Sequence, residues 1–136
     1  GTMADPRWLD PSVDPNDRIP GTCYLGDPKV VNNGPVGLAR FCTLRSWLSQ
    51  WSFDDANACG PTSLASVSKP VLVVGNTADD ACTPSHTDTL FDAVTHERKA
   101  KIEIKGANHY YMGQPELAAQ ATGAVLDWLR DYDFPV

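Results

Sequence analysis

Two acidic residues and one histidine follow the two most strand-like segments of this chain. Asp79 and Asp80 come just after the apolar run Val71–Val74, and His109 comes just after the alternating segment Lys101–Lys105. A carboxylate behind a histidine fixes the tautomer of the imidazole and stabilises its protonated form. The histidine can then remove the proton of a hydroxyl nucleophile as that nucleophile attacks. The residue types and their order therefore predict acid–base assistance to a nucleophile.

The elements that must position these residues alternate between strand and helix. The run PVLVV in Lys69–Gly75 is typical of a strand buried on both faces, and Lys101–Lys105 is typical of a half-buried strand near a sheet edge. Pro84, with Thr83 as its cap, is predicted to open a helix, and Pro115–Tyr132 is predicted to be the last helix. The order predicts an α/β fold with short parallel strands and crossover helices.

The sequence before these strands is organised differently. Residues 1–33 are rich in Pro and Asp and are predicted to form an extended arm. Gly34–Trp51 is predicted to be a helix, since its apolar residues recur at helical spacing, and Asp54–Ser68 is predicted to be a polar loop. The chain is thus divided into 1–33, 34–68 and 69–136. Two strands alone cannot bury Val71–Val74 on both faces, so a further strand is expected from another chain or segment.

Composition limits the classes of partner. The 136 residues carry a formal net charge of −6, which argues against nucleic acid and anionic membrane because both require a basic surface. No apolar run is long enough to span a bilayer. The compartment stays open, with the cytoplasm favoured. No cofactor or metal is predicted, since the histidines lack close ligand spacing. Free thiols are predicted for the four cysteines, which lack CxxC spacing: Cys23, Cys42, Cys59 and Cys82.

From Lys69 to Leu129 the chain resembles the C-terminal part of the α/β-hydrolase superfamily. The stretches that carry the resemblance are PVLVVGNTADDACTP, KIEIKGANHYY and the long final helix. In that family one strand leads to the loop with the catalytic acid, and the next leads to the loop with the catalytic histidine. The resemblance implies a serine hydrolase that cleaves carboxylic esters or amides of small molecules through an acyl-enzyme.

The resemblance also implies roles for particular residues. Asp80 stands four residues before Pro84, the commoner spacing in the family, so it is the predicted acid, with Asp79 as the alternative. His109 corresponds to the catalytic histidine. Tyr110 and Tyr111 are predicted to bind substrate, with packing of the loop as the alternative. The segment Gly34–Trp51 would correspond to a helix before the acid strand, related to a cap.

One part of the family pattern is missing from this sequence. No serine lies in a G-x-S-x-G elbow, and Ser63 lacks both flanking glycines. The resemblance therefore implies a partner, a nucleophile-bearing N-terminal hydrolase chain or segment, which this chain would complete with its acid and histidine. Two alternatives remain open. The chain could be a non-catalytic half-fold interaction module, or a strand-exchanged homodimer.

Overall fold

The computed structural model describes residues 42–52 and 54–132, together with Ser12 and Gly34. The chain divides into two compact units, Gly1–Cys59 and Gly60–Val136. The predicted arm, apart from Ser12, lies outside the described residues, as does Cys23. Among the helices that are described, none combines the length and apolarity needed to cross a membrane.

The first unit contains the helix α1 (Leu44–Trp51). Thr43 precedes it with an extended backbone, and the Thr43 hydroxyl accepts a hydrogen bond of 3.1 Å from the backbone N–H of Ser46. Such a cap begins a helix because it satisfies one of the N–H groups left without a partner in the first turn. The prediction of one helix over Gly34–Trp51 is therefore wrong at Cys42 and Thr43, while residues 35–41 are not described.

The second unit contains two strands and three helices. In chain order they are α2 (Gly60–Leu64), β1 (Val71–Asn76), α3 (Pro84–Ala93), β2 (Lys99–Ile104) and α4 (Pro115–Asp131). The strands β1 and β2 pair in parallel, which confirms the predicted α/β class with helices connecting parallel strands. The predicted loop Asp54–Ser68 is wrong at α2. Pro61 lies in the first turn of that short helix, a position where proline is tolerated because its missing N–H would have no partner.

The ladder between the strands sets their lengths. Val71 pairs with Lys99 at one end and Asn76 pairs with Ile104 at the other. Strand β2 thus begins two residues before the predicted segment, since Lys99 and Ala100 continue the ladder. The Lys99 ammonium also donates hydrogen bonds to carbonyl groups near the end of α3, those of Phe91 and Val94, at 3.0 and 2.8 Å.

The two faces of the sheet pack against different helices. Ile104 is fully buried and packs with Ala107 and with Ala121 of α4, and Val74 lies against this cluster. Because side chains alternate along a strand, Gly75 points to the opposite face. There it approaches the buried Thr87 of α3 so closely that an added Cβ would lie 2.7 Å from a Thr87 methyl group. The helices α3 and α4 therefore cover opposite faces.

The strand β1 is less buried than its sequence predicts. Val71–Val74 are all partly exposed, and only Gly75 in this strand is buried. The prediction of burial on both faces is therefore wrong for this chain as described. Within residues 42–52 and 54–132, β1 has β2 on one side and no strand on the other. Among the described residues that edge of β1 therefore has backbone N–H and C=O groups without a strand partner, and the further strand stays a prediction.

Candidate active site

The loop after β1 turns the chain so that the carboxylate of Asp79 points inward. The Asp79 N–H donates to the carbonyl of Asn76 at 3.1 Å, closing a turn at the end of the strand. The Asp79 Oδ1 accepts hydrogen bonds from the backbone N–H groups of Ala81 and Cys82, both at 2.8 Å. Asp79 is 8% exposed. The carboxylate is therefore held by its own loop, and Oδ2 remains available for a further partner.

That partner is His109, which comes from the loop after β2. The Asp79 Oδ2 lies 2.8 Å from His109 Nδ1. An ionised carboxylate can only accept a hydrogen bond, so Nδ1 donates its proton and the lone pair of the imidazole resides on Nε2. No other described residue forms a hydrogen bond with the His109 ring. The arrangement can therefore take up a proton at Nε2 while Asp79 stabilises the imidazolium that results.

The aspartate that contacts His109 is not the one predicted to be the acid. Asp79 and not Asp80 is hydrogen-bonded to His109, which favours the alternative acid, while the catalytic role of either residue stays a prediction. Strand β1 continues to Asn76, one residue beyond Gly75, and the following turn directs Asp79 inward. Asp80 is exposed. Counting back from Pro84 could not reveal this, because neighbouring residues in a loop can point in opposite directions.

The pKa of the Asp79 carboxyl reflects opposing effects. Burial by itself raises this pKa, because the charged form loses solvation. The hydrogen bond from His109 lowers it, as do the hydrogen bonds from the backbone N–H groups of Cys82 and Ala81. The balance leaves the pKa below its ordinary value of 3.8. Asp79 is therefore ionised at neutral pH and can act as the acceptor that fixes the histidine tautomer.

The histidine loop is tied directly to the end of β1. The side-chain amide of Asn76 donates to the carbonyl of Asn108 at 3.0 Å. The histidine loop is also bonded to the loop that carries Asp79, because the N–H of Ala78 donates to the carbonyl of Ala107 at 3.0 Å. The Thr77 hydroxyl accepts from the N–H of Gly106 at 2.8 Å. These bonds fix Asp79 and His109 relative to each other through the backbones that carry them.

A second set of bonds joins the histidine loop to the start of α4. The Gln114 Oε1 accepts from the N–H of Asn108 at 2.9 Å, and Gln114 Nε2 donates to the carbonyl of Gly106 at 2.8 Å. One side-chain amide thus bridges the two ends of the short segment that precedes His109. Asn76 and Gln114 were not identified from the sequence. The available signals were positional: Asn76 ends a strand, and Gln114 directly precedes the Pro115 that begins a helix.

The two predicted substrate-binding tyrosines lie in different surroundings. Tyr110 is 77% exposed, and its ring meets that of His109 nearly perpendicularly at a centroid distance of 4.5 Å. Tyr111 packs against the Ile104 cluster, and its hydroxyl donates to Asn76 Oδ1 at 2.8 Å. Tyr110 is therefore accessible beside the histidine, whereas Tyr111 supports the loop. Binding of substrate by either residue stays a prediction.

One further residue lies beside the acid–histidine pair. Cys82 is exposed and is not part of a disulfide, like Cys42 and Cys59 elsewhere in the described chain. The Cys82 sulfur, a carboxylate oxygen of Asp79 and a ring nitrogen of His109 all lie within 4.8 Å of one another. The structure thus brings a thiol close to His109, a proximity that the sequence does not predict.

Comparison with known proteins adds no relative to this description, because no family model, curated protein or solved structure matches the chain.

Proposed function

We propose that this chain supplies the acid and the base of a serine hydrolase whose nucleophile comes from another polypeptide or segment. The observation that carries the proposal is the 2.8 Å contact between Asp79 Oδ2 and His109 Nδ1. The two residues are 30 positions apart and lie in consecutive strand-end loops, in the order acid then histidine that the α/β-hydrolase arrangement requires. The substrate class is a carboxylic ester or amide.

The chemistry follows from the orientation of the imidazole. Asp79 holds Nδ1–H, so Nε2 is the atom that accepts the proton of a serine hydroxyl as the oxygen attacks the substrate carbonyl. The imidazolium then donates that proton to the leaving group, which departs as an alcohol or amine. A water molecule hydrolyses the acyl-enzyme by the same steps. The exposed Tyr110 ring beside His109 would form part of the wall against which the substrate lies.

The edge of β1 that has no strand partner among the described residues also supports this proposal. Its residues Val71–Val74 form an apolar run of the kind found in central strands, whereas β2 carries charged residues at alternate positions, as edge strands do. A strand added beside β1 would cover its free backbone groups. The nucleophile-bearing part would then complete the sheet and the active site together.

The test combines the chain with the product of the adjacent upstream reading frame. We expect the co-purified complex to hydrolyse an activated ester and to be labelled by a fluorophosphonate on a serine outside this chain. His109→Ala should lower kcat/KM by at least roughly 10⁴-fold, as loss of a catalytic base does in serine hydrolases. The matched control is His86→Ala, which removes a histidine on α3 and should retain activity.

The alternatives give different results in the same experiment. A non-catalytic interaction module would form the complex but would show no fluorophosphonate labelling. A strand-exchanged homodimer would elute at twice the mass of the chain without the upstream product. Ester hydrolysis that His109→Ala leaves unchanged would contradict the proposed function.

A further inference from the structure

Three potential metal ligands of different chemical types meet at the ends of the two strands. The structure brings a carboxylate oxygen of Asp79, the sulfur of Cys82 and a ring nitrogen of His109 within 4.8 Å of one another. In a tetrahedral zinc site, bonds of about 2.0–2.3 Å place neighbouring ligand atoms about 3.3–3.8 Å apart. Side-chain rotations that lengthen the 2.8 Å contact between Asp79 and His109 and draw in the pairs that are farther apart would bring this set to coordination distance.

The donor set identifies the class of metal. A thiolate is a poor ligand for magnesium and calcium, which prefer oxygen atoms, whereas imidazole and thiolate together are typical ligands of zinc. Three protein ligands leave the fourth tetrahedral position for water or another small ligand. The exposure of Cys82, together with the partial exposure of His109, leaves one side of the set accessible from solvent.

The surrounding hydrogen bonds orient the ligands. The Asp79 Oδ1 accepts from the N–H groups of Ala81 and Cys82, which leaves Oδ2 directed toward His109. Such bonds to a ligating carboxylate are the usual outer support of a metal site. The same two bonds also fix the backbone of Cys82 relative to the carboxylate. The spacing Asp79-x-x-Cys82 thus presents two ligands from one short loop.

We propose that Asp79, Cys82 and His109 form a zinc site with one open coordination position. Binding converts the Cys82 thiol to a zinc thiolate and releases its proton to solvent. It also replaces the hydrogen bond between His109 Nδ1 and Asp79, and the single ring proton then resides on the nitrogen that does not bind zinc. The inference goes beyond the proposed hydrolase and does not depend on it. The two are nevertheless linked, because a His109 ring whose lone pair is bound to zinc cannot accept the proton of a nucleophile. Zinc would therefore inhibit the hydrolase.

The experiment uses the full chain after treatment with a chelator. Titration with Co²⁺ should produce the near-ultraviolet absorption band of a thiolate–cobalt bond, saturating at one ion per chain, and Zn²⁺ should displace that ion. Cys82→Ser should abolish the band and weaken Zn²⁺ binding, measured by calorimetry, by more than roughly 100-fold, the upper end of the effect of losing an outer-sphere partner.

The controls separate this site from the other thiols and from misfolding. Cys59→Ser removes another exposed thiol and should leave the band and the Zn²⁺ affinity unchanged. Circular dichroism should show that Cys82→Ser retains the secondary structure of the parent. An unchanged Zn²⁺ affinity in Cys82→Ser, or the lack of a thiolate–cobalt band in the parent, would overturn the proposal. These readouts do not require hydrolase activity, so failure of one proposal is distinguishable from failure of the other.

Discussion

Two pairs of acidic and basic side chains connect the segment between β1 and β2 with β2 itself or with the loop that follows it. The Asp79–His109 contact is 2.8 Å long and the Asp88–Lys101 contact is 2.6 Å long. In each pair the acid follows β1 in the chain, and its partner lies in β2 or the loop after it. Their surroundings differ, however, since the Asp79 side chain is 6% exposed and the Asp88 side chain is 55% exposed.

The comparison shows that a short distance between the charged atoms does not by itself indicate what a pair does. Asp79 also accepts two hydrogen bonds from backbone N–H groups, so both oxygens of its carboxylate have partners that hold them in place. Asp88 lies on the solvent side of α3, and its partner Lys101 also contacts Glu103 at 3.3 Å. Exposed pairs of this kind contribute little to stability because water and salt compete with them. The position at the strand ends makes the first pair suited to chemistry.

The largest expected effect concerns the function of the buried pair. In the complex described above, Asp79→Asn should lower kcat/KM by about 10⁴-fold, because the amide can no longer hold Nδ1–H as a carboxylate does. Steady-state ester hydrolysis measures the change. Asp80→Asn is the matched control and should leave kcat/KM within a few fold. If Asp80→Asn were the more damaging substitution, the structural assignment of the acid would be wrong.

A smaller effect is expected on stability, through the packing of β1 against α3. Gly75→Ala would place a methyl group 2.7 Å from the Thr87 Cγ2 atom, on a buried β-branched side chain. Overpacking of this kind should lower the free energy of unfolding by about 1–3 kcal/mol. Urea denaturation provides the measurement.

A matched glycine in α4 provides the control for this packing effect. Nothing lies within 4 Å of a Cβ added at Gly123, so Gly123→Ala should instead stabilise the protein by up to about 1 kcal/mol through helix propensity. Combining Gly75→Ala with Thr87→Ser removes the nearest methyl group and should restore part of the loss. Equal stability of Gly75→Ala and the parent would show that α3 is not held tightly against β1.

The pH dependence of unfolding should separate the two pairs by sign. The pKa of Asp79 is lowered in the folded state, so its contribution to stability is present above the ordinary value of 3.8 and is lost as pH falls through the lower folded value. Asp79→Asn should therefore make the stability less dependent on pH below about 4. Denaturation midpoints measured from pH 5 to pH 2 test this, and an unaltered acid dependence in Asp79→Asn would contradict it.

The contribution of the exposed pair to stability should depend on pH in the opposite sense and more weakly. The hydrogen bond to Asp88 raises the pKa of Lys101 above 10.5, so its contribution is present below that value and is lost as pH rises above it. Lys101→Met should therefore change only the alkaline limb, and added salt should suppress the difference. A change in the acid limb would show that the two pairs are coupled.

Much of the second unit could be predicted from local patterns. The valine run of β1 and the prolines at the start of α3 and α4 identified those elements at nearly the observed boundaries. The start of β2 was harder to predict from the local pattern. Lys99 and Ala100 belong to the strand because they pair with residues of β1. The helix α2 is not predicted, because it spans only five residues within the polar segment Asp54–Ser68.

The site was predictable in type but not in detail. The order of an acid and a histidine after consecutive strands predicted which loops would meet. Whether Asp79 or Asp80 faced His109 depended on where β1 ends and on how the loop turns, which are tertiary properties. The proximity of Cys82 depended on the same turn. The roles of Asn76 and Gln114 required knowledge of which backbone groups the loops leave without partners.

The backbone of Tyr111 has a consequence for local unfolding. Its φ of 53° lies in the left-handed region, where residues other than glycine are uncommon. The local sequence therefore does not favour this shape, and the hydroxyl bond to Asn76, 35 residues away, helps to hold it. Asn76 is in place only once β1 has formed. The shape of the segment that carries His109 therefore depends on the end of β1, so local unfolding of that strand should also disturb the contact between Asp79 and His109.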